Sequence, residues 1–285
     1  MVAKFRRSLS FPNNNNQTSS KPTKTLHVRS TSLPCRSHHP IISLLKDQIN
    51  DLKSSSSSSS STIPNILCHR LTQLKTIHES LEDLLHLPQT KDSLRNQFNN
   101  YENLLEDFLH FLDVYGTFQT LLLSLKQQLS STQVAIRSKN IKFEDYIKTL
   151  KKLAKKISGL SSTIRLAGAD NQSGDTELGE VIRDVKEVTI TVSIALFSGV
   201  SKPFLPEKKG WRFGLRLNKR VKIDHHQEIC LMGLLRKKGE ELQVKMVLKR
   251  MHELENWIDE IESFSEKIYR SLINTRVSLL NVLTN

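Results

Sequence analysis

Two serines in one short arm carry the most specific chemistry this sequence offers. Arg7-Ser8-Leu9-Ser10-Phe11-Pro12 and Arg29-Ser30-Thr31-Ser32-Leu33-Pro34 both follow the pattern R-S-x-S-x-P. Ser10 and Ser32 each have an arginine three positions upstream, the placement a basophilic kinase reads. A phosphate adds about −1.5 to −2 charges and three strong acceptor oxygens. Arg7 and Arg29 stand ready to pair with it, while Pro12 and Pro34 turn the chain two residues on. Readers of the 14-3-3 type bind phosphorylated motifs of this shape through an arginine cluster. Two copies on one arm match the two grooves of a dimeric reader, so a phospho-dependent partner is expected here.

Other candidate chemistries are thinner. The segment 202–222 interleaves Phe204, Trp211 and Phe213 with eight bases. Lys202, Lys208, Lys209, Trp211, Arg212, Phe213 and Arg216 are its candidates for contact with lipid headgroups or another anion. The competing reading is a connecting loop that tucks its apolar side onto a helical core. Cys35 with His38 and His39, and His225-His226 near Cys230, invite zinc, but neither spacing completes a four-ligand pattern and no metal is expected. Phosphate-binding loop, nucleophile elbow and H-E-x-x-H are all missing, so the expectation is a non-enzymatic protein without a cofactor.

The formal charge of +13 is unevenly placed. The first 46 residues hold eight Lys/Arg and no acid. Residues 137–165 hold nine bases against Glu144 and Asp145. Such a balance favours anionic partners, a phosphoprotein or an acidic membrane surface, and nothing in it selects a specific nucleic acid. Three scattered cysteines and an N-terminus lacking an apolar core point to a cytoplasmic protein with reduced thiols. A plastid or peripheral-membrane location is the alternative, because a basic, Ser-rich, acid-free start also suits a transit peptide. The longest charge-free apolar run, Val188 to Ser201, is short for a bilayer span.

The elements expected around these segments are helices. No proline falls between Gln89 and Lys202 or after Pro206, which favours long uninterrupted helices. Residues 1–40 hold too little apolar bulk to offset ordering and are expected to be a disordered arm. A short helix follows at Ile41–Leu52, then a serine linker at 54–61 and a helix from Pro64 to Pro88. Leu94, Phe98, Tyr101, Leu105, Phe108, Leu112 and Tyr115 predict a long third helix. Its stripe continues as Phe118, Leu122, Leu125 and Leu129 after a doubled step of three, so a local kink or overwinding is expected at Gly116. Phe143 to Ile164 forms a fourth helix with Lys148, Lys151, Lys152, Lys155 and Lys156 flanking its apolar face. Leu178 to Val200 alternates with period two in part, yet helical spacing holds throughout and no partner strand exists. The stripe from Val244 to Val282 keeps steps of three and four over more than five heptads. The fold class is all-α: an elongated antiparallel bundle of long, coiled-coil-like helices spanning 41–285, monomeric, behind the disordered arm.

Three segments resemble a known group. HVRSTSLPCRSH at His27–His38, LDVYGT at Leu112–Thr117 and YRSLINTRVSLLNVL at Tyr269–Leu283 are similar to the Bypass-type family of land-plant proteins, a family with an uncharacterised domain. Cys35 stands where that family usually has serine, and the basic segment after Trp211 follows its pattern loosely. The resemblance implies a plant-specific helical protein with no assigned catalytic activity. It also implies a link to root and shoot development, in which members restrain production of a mobile signal.

Overall fold

A computed structural model describes residues 40–54, 63–95, 98–138, 143–168, 176–205 and 241–284. Among these the secondary structure is helical throughout, with seven α-helices and no strand. They are α1 (Pro40–Ser54), α2 (Ile63–His86), α3 (Pro88–Arg95), α4 (Phe98–Arg137), α5 (Phe143–Thr163), α6 (Glu177–Ser201) and α7 (Glu241–Thr284). Short 3-10 turns, Ile164–Gly168 and Lys202–Phe204, follow α5 and α6. The expected arm and the serine linker lie outside the described residues, apart from Pro40 and Ser54.

Each helix start has a local cause. Pro40, Pro64 and Pro88 sit in the first turns of α1, α2 and α3, where the missing N–H leaves no intrahelical bond unmade. Thr176 caps α6: its side-chain oxygen accepts from the Gly179 N–H at 3.2 Å. Glu177 and Glu180 add negative charge at that positive end.

Five helices close into a ring in which α4 packs on α5, α5 on α6, α6 on α2, α2 on α7, and α7 back on α4. Paired side chains give the directions. Asp107 of α4 meets Lys186 of α6, and Tyr115 meets Ser193, so these two run parallel. His78 of α2 meets Thr189, with Leu67 near Gly199, so α2 runs against α6. Lys126 meets Glu262 and Gln133 meets Glu255, which sets α7 against α4. α1 packs on both α2 and α6, buries Ile42, Leu45, Ile49 and Leu52, and is fastened by Lys46–Glu177 and Lys53–Glu187. α3 packs against α2, α4 and α7.

A ring of five helices encloses a wider centre than four would, and large rings fill it. Phe108, Phe111, Tyr115 and Phe118 of α4 are fully buried there, with Phe197 of α6. Phe118 and Phe197 pack tilted with centroids 4.9 Å apart, and Phe108 meets Phe111 edge-on. On α7 the stripe behaves as its spacing predicts: from Val247 to Val282 every position is buried, and only Val244 at its start is exposed.

Two expectations fail on α4. Leu94 and the long helix are not continuous, because Leu94 belongs to the separate α3 and α4 opens at Phe98. The doubled step at Gly116 also falls away: α4 runs through it as one α-helix of 40 residues. Its buried stripe is Leu104, Phe108, Phe111, Tyr115, Phe118, Leu122, Leu125 and Leu129, alternating four and three with no doubled step. Leu105 and Leu112, which the sequence reading placed in the stripe, pack half-buried at its edge. Adjacent large residues had offered two phases, and the ring interior took the one with more aromatic bulk.

Candidate functional site

Of the residues named from sequence for phosphorylation, lipid or anion contact in the arm and in 202–222, Lys202 and its neighbour Phe204 are among the described ones. Lys202 is exposed at the start of the turn Lys202–Phe204, which packs against α5, and its N–H closes on the Ser198 carbonyl. Phe204, two residues on, is fully buried, as the tucked-loop reading expects for it. Arg7, Ser10, Pro12, Arg29, Ser32 and Pro34 lie outside the described residues, as do Lys208, Lys209, Trp211, Arg212, Phe213 and Arg216. So do Cys35, His38, His39, His225, His226 and Cys230. Among the described residues no group of His, Cys, Asp and Glu could hold a metal ion.

α5 carries a basic outer face. Leu150, Ala154, Ile157 and Leu160 face the core, which leaves Lys148, Lys152, Lys155 and Lys156 exposed and Lys151 half-buried. Lys148 pairs with Asp145 at 3.1 Å.

A polar ladder that sequence reading missed crosses the ring interior. His78 Nε2 lies 3.0 Å from Thr189 Oγ1, whose hydrogen goes to the Val185 carbonyl at 2.7 Å. The imidazole must therefore donate from Nε2, leaving Nδ1 as a bare acceptor without a partner. One turn later Ser193 Oγ donates to the Thr189 carbonyl at 2.6 Å, so the Tyr115 hydroxyl donates to Ser193 across 2.8 Å. All four side chains are buried. Burial pushes the His78 imidazole down to about 4 and the Tyr115 phenol up to about 12, with the Ser193 bond opposing the second shift. Beside the ladder, Lys186 of α6 and Asp107 of α4 form a nearly buried ion pair. Every hydroxyl hydrogen in the ladder is committed within the protein, so these groups fix α6 against α2 and α4 rather than address a ligand.

Two further groups tie α7 to its neighbours. Lys126 of α4 reaches Asp259 at 2.6 Å and Glu262 at 2.5 Å, and the hydrogen bonds to these two carboxylates hold its ammonium above the usual lysine range. Cys68 of α2 is buried, and its thiol is pushed up to about 12, first by burial and then by the Glu260 charge and hydrogen bond. The recess bordered by Leu81, Leu85, Leu104, Phe108, Ile182, Thr275 and Leu279 has no room for a water molecule.

A family model, Protein BPS1, matches residues 70–282, about three quarters of the chain. The chain belongs to the BPS1 family. This is the family that the three resembling segments indicated, and membership suggests a plant developmental regulator whose biochemical activity is undefined. The match runs from α2 into the end of α7 and leaves out α1, although α1 is packed into the same bundle. Within LDVYGT, Tyr115 holds the ladder to Ser193 and Asp113 faces solvent. No curated protein and no solved structure matches the chain. Among the described residues no helix is long and apolar enough to cross a membrane, and the apolar run Val188–Ser201 is buried as part of α6.

Proposed function

We propose that this BPS1-family chain is a non-enzymatic regulatory adaptor, acting in root and shoot development, whose N-terminal arm is switched by phosphorylation. The observation that carries the reading is the repeated R-S-x-S-x-P motif, with Ser10 and Ser32 as acceptors and Arg7 and Arg29 upstream. The bundle supports it by offering a platform whose interior polar groups are spent on holding helices together. A chain of 22 residues spans roughly 25 Å r.m.s. if flexible, so a dimeric 14-3-3-type reader bound at one motif meets the other at high effective concentration. Calorimetry with peptides of residues 1–40 tests this. The doubly phosphorylated peptide should bind about 10²-fold or more tighter than either single one. Binding no better than a scrambled control would remove the reading.

A second reading rests on the α5 face. Lys148, Lys152, Lys155 and Lys156 form an exposed basic row that suits an anionic membrane surface, with Lys202 beginning the turn that packs on α5. In flotation assays, binding to vesicles containing acidic lipid should fade as salt is raised. Equal recovery on neutral vesicles would discard it.

A further inference from the structure

α4 has an outer face unlike the rest of the bundle. Between Asp113 and Arg137 the helix contains one charged residue, Lys126, and its charge is taken by Asp259 and Glu262 of α7. On the solvent side lies a strict sequence of three- and four-residue steps: Asp113, Gly116, Thr120, Leu123, Gln127, Ser130, Val134 and Arg137. Gly116 is half-buried and the other seven are exposed. Leu123 and Val134 show 54% and 60% of their surface. The hydroxyls along this side are turned inward: Thr117 donates to the Asp113 carbonyl, Thr120 to Gly116, Ser124 to Thr120 and Ser131 to Gln127. The row thus presents Leu123, Val134 and the Thr120 methyl beside the polar Gln127 and Ser130.

The row is self-complementary. We propose that the α4 outer face is a homodimer interface, in which two copies of α4 pair antiparallel about a two-fold axis between Leu123 and Gln127. Positions three and four apart share one face of a helix, and when two such faces pair antiparallel the facing positions fall in layers. In this register the layers sum correctly along the whole row. Asp113 meets the partner's Arg137, and neither has an ion-pair partner among the described residues of its own chain. Val134 meets the partner's Gly116, where a side chain would find nothing within 4 Å in the isolated bundle. Thr120 meets the partner's Ser130, and Leu123 the partner's Gln127. Opposite charges meet at the outermost layers and Val134 lies over Gly116, each contact being made twice because the axis is two-fold. A glycine within a helix costs about 1 kcal/mol relative to alanine, and Gly116 meets no neighbour of its own bundle that demands its smallness. Close approach of a second helix explains it.

The row is about 36 Å long, a single helix–helix contact at the small end of specific interfaces, so weak, concentration-dependent association is expected. The contact is built from α4 alone and uses none of the residues on which the proposed function rests, so it stands independently of that reading. The proposed dimer differs from the monomer expected from sequence. Sedimentation velocity on the full chain at roughly 1–200 μM and near 0.15 M salt should show the mass doubling with concentration. Asp113→Arg and Arg137→Asp should each weaken association about tenfold or more, and the two reversals combined in one chain should restore it. Gly116→Leu should abolish the dimer while leaving the melting temperature unchanged or raised. A single mass across the concentration range would overturn the proposal. So would a dimer indifferent to Gly116→Leu and to both charge reversals, since it would use another surface.

Discussion

The two faces of α4 answer to different constraints. Its inner face carries Phe108, Phe111, Tyr115 and Phe118, all fully buried, with one hydroxyl aimed at Ser193. Its outer face carries glycine, threonine, serine and glutamine around two exposed aliphatics, with its hydroxyls folded back on the helix. Both faces run through the same 40-residue helix. The inner one is dictated by the ring it must fill. Nothing in the fold dictates the outer one, so its lack of charge reports on an event outside the single bundle. The neighbouring α5 makes the contrast sharper, because it meets solvent with a row of lysines.

That contrast predicts where substitutions hurt. The largest loss should follow Phe118→Ala, which empties the ring centre beside Phe197; about 4 kcal/mol is expected in urea unfolding followed by circular dichroism. Lys186→Met should cost about 2 kcal/mol by removing the ammonium paired with the nearly buried Asp107 carboxylate. Adding Asp107→Leu to it should recover most of that loss, and a double mutant no better than the single would show that the pair is not the cause.

The third effect depends on pH. The His78 imidazole is held down to about 4 against an ordinary value of 6.5. Between those values the unfolded chain takes up a proton that the folded chain refuses, so stability falls as pH drops through this window and levels off below it. About 2 kcal/mol should be lost from pH 6.5 to 4.5 through this group. His78→Leu should show a pH slope shallower by one proton over the same range, and an unchanged slope would place the titration elsewhere. The smallest effect belongs to the outer face: Leu123→Gln should change the unfolding free energy of the isolated bundle by less than about 0.5 kcal/mol. A large loss there would mean that the outer face is part of the core.

Periodicity made most of this fold legible. The α7 stripe could be read residue by residue, because each step of three or four lands on an apolar or small side chain with polar residues between. α4 was read in the wrong phase where it offers neighbouring choices: Leu104 beside Leu105, and Phe111 beside Leu112. A hydrophobic count cannot separate such pairs, and only the ring's need for bulk does. α6 had looked partly like a strand because Thr189 and Ser193 interrupt its valines. Their hydroxyls bond to carbonyls four residues back, so a helix accommodates them and turns them into the ladder. The ladder itself was hidden, since the contacts of His78 and Tyr115 lie 111 and 78 positions away in the chain. The α4 outer face did leave a signal in the sequence, a long span with a single lysine, but apolar periodicity looks past an absence of charge.

Cys68 turns the α2–α7 contact into a clock. In the closed bundle the thiol is covered, and its pKa, pushed from 9.0 up to about 12, leaves far less thiolate at neutral pH than an ordinary cysteine has. An alkylating reagent thus reacts with it almost solely in molecules whose α2 has parted from α7, where burial and the Glu260 charge no longer act. In a chain keeping Cys68 as its sole cysteine, labelling at low reagent measures how often the open state is populated. At saturating reagent it measures how fast the helices separate. The bundle thereby carries its own stopwatch for the motion that any partner inserting between these two helices would have to wait for.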